Sequence, residues 1–393
     1  MAALTQALSD RKRLWTTLAY VLALVIIVAL LAPVIGAQRP ARLVQSGITG
    51  LLVGGVYALI ALGIVIINKA SGVFNFAHGW MMLFGGFIFY SFFSVVTIAP
   101  AAAALLALAT VFMAVTMVSL RALRDPRVLI GSAVAVIVLA LLLVVSPPLL
   151  RGILGAVCGS VLIGLAAERF AIRPLIGQPL FAMVLMTLAL SEVLHGITQS
   201  IWGSVELPLG IFSGIRDLGL PAPIRIEGTG AFEGTIIVRT ELLIAFLLAL
   251  VSFAVFVLFF RFTSVGLSMR ATAENQKLAQ SVGLRVRVIL GVAWAIAALL
   301  ATVAGVLQGG ATSLSLNLPL LALRAFPAVL LGGLESVPGA LIGGLIIGLV
   351  QEYANLLFPG TQAGTELAPY VVLMIVLIIR PDGLFGQKRI ERI

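Results

Sequence analysis

The chain has 393 residues, of which 61% are hydrophobic and 10% charged, with a mean hydropathy of +1.19 and a net charge of +10. Soluble globular domains run at about 45–50% apolar and 25% charged residues, so this composition excludes a water-soluble domain and implies an integral membrane protein. The basic excess is explained first as the arginine and lysine bias of cytoplasmic membrane loops, which leaves no call for a nucleic-acid surface.

Runs of about 20 apolar residues are needed to cross the hydrocarbon core. Continuous blocks such as LLIAFLLALVSFAVFVLFF, residues 242–260, predict helices, since barrel strands alternate over segments of about ten residues. The fold class expected is therefore all-α, a polytopic transmembrane helical bundle of about 10–12 membrane segments including broken or half helices.

Residues 1–43 place Arg11, Lys12 and Arg13 before a first span at 15–36. A signal peptide would have a core of about 7–15 residues and a small residue where Ile35 stands, so a retained anchor is expected. Further spans are predicted at 44–67, 78–95, 97–119, 128–149, 151–170, 179–202, 240–261, 286–309, 321–334, 339–357 and 366–380. Alternation from a cytoplasmic N-terminus gathers Lys69, Arg121, Arg124, Arg127, Arg169, Arg173, the 262–287 loop and the tail with Lys388, Arg389 and Arg392 on the cytoplasmic side. Only Arg39 and Arg42 oppose this scheme. The outer side receives 203–239, where Arg216, Arg225 and Arg239 are balanced by Glu206, Asp217, Glu227 and Glu233. A multi-pass protein of a bacterial-type plasma (inner) membrane with both termini cytoplasmic is expected.

Two blocks read as discontinuous. GVFNFAHG, 72–79, puts Asn75 and His78 at the start of an apolar run. The 321–334 block is too short to span and runs on through LLGGLESVPGALIGG, with Gly332, Gly333, Pro338 and Gly339 thinning the helix. Irregular backbone at membrane depth is tolerated when it lines a cavity or is buried in protein, and broken segments in both halves of a chain point to a transport pathway. Close helix packing is the alternative use of these glycines.

RATAENQKLAQSVGLR, 270–285, is polar within an apolar chain. Ala271, Leu278 and Val282 fall at i, i+7 and i+11, which predicts one short amphipathic helix with Glu274 near its N-terminus and Gly283 at its C-cap. So thin an apolar face suits a protein groove better than a lipid surface.

None of the four lysines closes a phosphate-binding loop, so ATP hydrolysis by that route is not expected of this chain. Cys158 is the only cysteine, and His78 and His195 the only histidines, without metal-ligand spacing; no cofactor or metal is expected. Glu192 and His195 share a helix face within a span, either as an intramembrane functional pair or as a brace of the span's outer end.

The chain resembles the permease subunits of branched-chain amino acid ABC importers of the LivH-like type. The resemblance rests on GLLVGGVYALIALGIVI (50–66) followed by GVFNFAHG, on SVGLSMRATAENQKLAQSVGL (264–284), on RAFPAVLLGGLESVPGALIGGLIIG (324–348) and on RPDGLFG (380–386). It covers 44–95 and about 160–392, and the first span and 97–149, a transmembrane pair, look additional to the family core. The resemblance implies a permease domain over 44–393 that forms half of a channel with a second related permease and moves a small solute across the bilayer. It also implies two ATP-binding subunits, an extracytoplasmic substrate-binding protein, and a coupling role for Arg270, Ala273, Glu274, Leu278, Val282 and Gly283. The sequence departs from the family at Trp80 after the His-Gly pair, at Arg324 before Ala325 and Phe326, and at Asn275 after Ala273 and Glu274. Two other classes stay open on the residues alone, a proton-coupled transporter using Glu192 or His195 and a non-transporting scaffold.

Overall fold

A computed structural model describes residues 39–95, 97–215, 223–229 and 233–386. The first predicted span and both terminal basic clusters lie outside them. The helices are α1 (Pro40–Ser71), α2 (His78–Phe93), α3 (Pro100–Val118), α4 (Pro126–Val145), α5 (Pro148–Ala166), α6 (Leu180–Trp202) and α7 (Thr240–Phe262). Two short helices follow, α8 (Ser264–Glu274) and α9 (Gln276–Ser281), then α10 (Val286–Ala311), α11 (Pro319–Gly332), α12 (Val337–Leu357) and α13 (Gln362–Ile379). Among the described residues eight helices are long and apolar enough to cross a membrane, with α2, α11 and α13 shorter. The protein is thus a multi-pass, helical membrane protein.

Proline heads α1, α3, α4, α5, α11 and α12, where its fixed φ suits the first turn and its missing N–H costs no helix bond. One small addition to the all-helical expectation lies in the 203–239 segment, where β1 (Ile224–Gly228) and β2 (Gly234–Val238) pair antiparallel, Ile224 opposite Val238.

Helix α1 is the central post, and α12 packs along it through glycines. A Cβ on Gly50 would sit 2.8 Å from the Leu349 Cα, and one on Gly348 2.5 Å from the Gly54 Cα. Both helices carry small residues four apart, Gly50 with Gly54 and Gly344 with Gly348, so their backbones touch. Tyr57 donates a 2.6 Å hydrogen bond to Gln351 across the same seam. Helix α10 covers another side of the post and meets α2 and α5, where Ser160 and Thr302 are hydrogen-bonded at 2.8 Å. Helix α4 is peripheral, with only 6% of its span buried.

The loops sort to two ends. At one, the Lys69 ammonium donates to the Glu335 carbonyl, and one cavity joins Lys69, Arg261, Arg270, Glu335 and Phe385. At the opposite end the Gln45 amide pairs with both backbone groups of Ile237, Arg239 donates to the Ala311 carbonyl, and Leu207 exchanges backbone bonds with Leu314.

Candidate functional site: two half helices that meet inside the bundle

Residues 72–77 are the first break. Gly72 ends α1 with φ +71, and the chain then turns back into the bundle. The His78 ring lies against Gly63, where a Cβ would be 2.5 Å from its Cε1; Gly63 is about 12 Å up α1 from Ser71. Irregular backbone thus sits at membrane depth, enclosed by protein. Asn75, fully buried, holds the turn by accepting from the Ala77 N–H at 3.0 Å. His78 is also fully buried, and neither ring nitrogen reaches a hydrogen-bond partner among the described residues; the backbone at Ile60 faces it without meeting hydrogen-bond geometry.

The second break is 312–318. It leads from α10 back into the bundle, where α11 starts against α2. A Cβ on Gly79 would lie 2.5 Å from the Pro319 carbonyl oxygen and 3.0 Å from the Ala322 Cβ. Helices α2 and α11 are therefore half helices whose N-termini abut and whose bodies run to opposite ends. Their positive dipole ends converge beside Asn75 and His78. Phe74 and Phe76 close the contact on Phe326, with ring centroids 4.4 and 5.3 Å apart. A cavity of about 440 Å³ adjoins the second break, lined by Thr312, Ser313, Ser315, Asn317, Arg324 and Glu366. Arg324 and Glu366 pair across it at 3.3 Å, which gives the departure at Arg324 a local partner.

Sequence reasoning put the break of this block at Gly332, Gly333, Pro338 and Gly339. The structure keeps that corner away from Asn75 and His78, at the far end of α11, about 20 Å along its axis. There the glycines serve backbone packing. A Cβ on Gly332 would be 2.1 Å from the Gly339 carbonyl oxygen, and Gly333, at φ +102, lies against Gly386. The tail returns to this corner, Leu384 and Phe385 donating backbone bonds to Leu331 and Gly332. The residue that sequence reasoning missed is Thr187 of α6. Fully buried, it accepts from the Phe76 N–H at 3.3 Å and lies 3.2 Å from the Phe74 carbonyl oxygen, clipping the first break.

The 264–285 segment corrects an expectation. It is two helices instead of one, because Asn275 is extended and its side chain accepts from the Leu278 N–H at 3.0 Å, starting α9 afresh. Glu274 consequently ends α8 instead of opening a helix, and the predicted stripe is split. Arg270 donates to the Phe260 carbonyl at the end of α7 and stacks over the Phe260 ring, 5.3 Å from its centroid. Met269 and Ala273 face Ile66 and Ala70 of α1 and Val337 of α12. Arg270 and Pro338 line one cavity, so the segment lies beside the glycine corner. Leu278 and Val282 project outward, 63% and 72% exposed, and Gly283 turns the chain at φ +89.

Glu192 faces outward from α6, whereas the His195 ring is half-buried against α2. Their closest approach is 3.5 Å, with the Glu192 side chain 79% exposed. His195 stacks on Trp80 at 4.1 Å, a partner for the other departure from the family pattern. Among the described residues no three His, Cys, Asp or Glu side chains gather as a metal site.

Residues 127–379 match the profile of the family described as branched-chain amino acid transport system / permease component. The chain is 27% identical over 352 residues to the high-affinity branched-chain amino acid transport system permease protein BraD of Pseudomonas aeruginosa, covering 89% of this chain and 97% of that one. It is 24% identical over 353 residues to the high-affinity branched-chain amino acid transport system permease protein LivH of Escherichia coli, with the same coverage. A probable branched-chain amino acid transport permease protein LivH of Methanocaldococcus jannaschii is 28% identical over 279 residues, 67% of this chain and 83% of that one. No solved structure matches.

Proposed function

Because the chain belongs to the family of branched-chain amino acid transport system permease components, we propose that it is the membrane subunit of an ABC importer and forms half of a channel for a branched-chain amino acid or a related small polar solute. The observation that carries this reading is the meeting of two half-helix N-termini beside fully buried Asn75 and unpartnered His78. Half-helix N-termini suit an anionic group of a solute, as in other transporters built on broken helices. An amino acid is a zwitterion, and the adjoining Arg324 and Glu366 offer one charge of each sign. The relatives' names supply the substrate class.

The partners follow from faces the chain leaves open. Glu192 stands near the middle of α6, where a carboxylate facing lipid costs about 2.5–3.5 kcal/mol, so this face is assigned to a second related permease. Exposed Leu278 and Val282 on the 264–285 segment are assigned to a groove of an ATP-binding subunit, one of two, and α8 passes its movement to α1 and α12. The β1–β2 end receives an extracytoplasmic binding protein. Both termini are assigned to the cytoplasm.

The test is the energy source. In vesicles holding this chain and its partners, uptake is expected to need ATP and binding protein, to survive an uncoupler while ATP is maintained, and to persist in Glu192→Gln. Accumulation by partner-free vesicles under a proton gradient, lost in Glu192→Gln, would overturn the importer reading in favour of proton coupling.

A further inference from the structure

Beyond the solute route, a second cavity of about 490 Å³ opens at the end of the bundle that carries the 264–285 segment. Four arginines line it, Arg169 and Arg173 from the turn after α5 and Arg285 and Arg287 from the start of α10. The chain widens α5 into a π-helical turn, Ala167–Ile172, just here. Such turns re-aim side chains and recur at functional sites.

The charges are largely uncompensated. Arg173 is held by the buried Glu168 carboxylate at 3.0 and 2.6 Å. Arg169 is pinned by the Thr116 hydroxyl, which is no counter-ion. Arg285 and Arg287 are exposed and have no acidic partner among the described residues. No carboxylate lines the cavity. The positive end of the 26-residue helix α10 adds to the same field. Apolar side chains line the cavity as well, Val118 at the end of α3 and Leu120 just after it being 51% and 61% exposed.

We propose that this cavity binds a phosphate-bearing anion, its charge held by Arg169, Arg285 and Arg287. A guanidinium fork matches phosphate oxygens. The apolar side chains in the same lining fit a lipid headgroup with its acyl chain along Val118 and Leu120, and basic pockets between membrane helices take anionic headgroups by this chemistry. A free phosphate would satisfy the arginines alone. Gln280 of α9 also lines the cavity, so an occupant would touch the segment assigned to coupling. Binding itself does not depend on the importer reading.

The experiment uses the purified full chain. Native mass spectrometry titrates it with dioleoyl phosphatidylglycerol and, separately, dioleoyl phosphatidylcholine, while calorimetry titrates inorganic phosphate in the same detergent. Arg285→Gln with Arg287→Gln, checked for unchanged thermal unfolding, is expected to weaken phosphatidylglycerol binding about tenfold or more. The double lysine variant is expected to keep most of it, and Arg261→Gln, at the same end but outside this cavity, all of it. Phosphate binding lost in the glutamine variant would equally support the anion site and name a soluble source. Equal retention of both lipids with no phosphate binding would overturn the proposal, as would the same loss in Arg261→Gln.

Discussion

Thr187 holds two strands of an argument about single residues. The Phe76 N–H lies in a stretch of backbone that has left helical pairing inside the bundle, and the Thr187 hydroxyl is its acceptor. An unsatisfied buried donor costs about 1–3 kcal/mol. Thr187→Val, which keeps the shape, is therefore expected to lower thermal stability in detergent and reduce uptake, while Thr187→Ser restores both. Wild-type stability and uptake in the valine variant would show that the clip does not hold the break. Asn75 and His78 were legible from sequence because polar groups at the head of an apolar run need a reason. Thr187 was not, since a threonine in a span ordinarily bonds its own helix, and its partner lies 111 residues away. Trp80 and Arg324 read as departures from a pattern, and only the packing supplied His195 and Glu366 as their partners.

Elements were easier to read in kind than in extent. Apolar blocks located the helices because a span must satisfy its own backbone, and the prolines that head α1, α4, α5, α11 and α12 mark starts two to four residues earlier than hydropathy alone placed them. The broken block was found, with its interruption at Gly332–Gly333 where sequence placed it, but the second break at 312–318, at the other end of α11, was not foreseen. Glycines are visible in a sequence, whereas 312–318 looks like any polar loop until α2 is placed against Pro319. The 264–285 segment misled for a related reason. Asn275 interrupts a stripe that periodicity carried straight through. As the N-cap of α9, it is expected to be worth about 1 kcal/mol. Asn275→Ala should speed amide exchange across 276–283 and leave α8 protected, because α8 is anchored separately by Met269 and Arg270. Coordinated loss of protection in both helices would mean that they form one unit after all.

At the scale of the whole molecule, strict alternation of spans from sequence and the convergence of loops in the structure describe the same two ends. Lys69, Arg169, Arg173, Arg261, Arg270, Arg285 and Arg287 cluster through shared cavities at one of them. The hairpin end carries Arg225 and Arg239 among acids, and Arg39 and Arg42 join it through α1. Arginine and lysine bias favours the denser end for the cytoplasm, and the docking proposed for Leu278 and Val282 on an ATP-binding subunit requires that orientation. Cysteine labelling tests it cleanly, because Cys158 is buried at 4% exposure. In a Cys158→Ser background, Ile226→Cys reports the hairpin end and Leu278→Cys the basic end, at positions 49% and 63% exposed. A membrane-impermeant maleimide added to right-side-out vesicles is expected to modify Ile226→Cys at once and Leu278→Cys only after permeabilisation. The reverse order would place the 264–285 segment on the side without ATP. It would remove the docking role from Leu278 and Val282, and the arginine-lined cavity would then open on the outer leaflet.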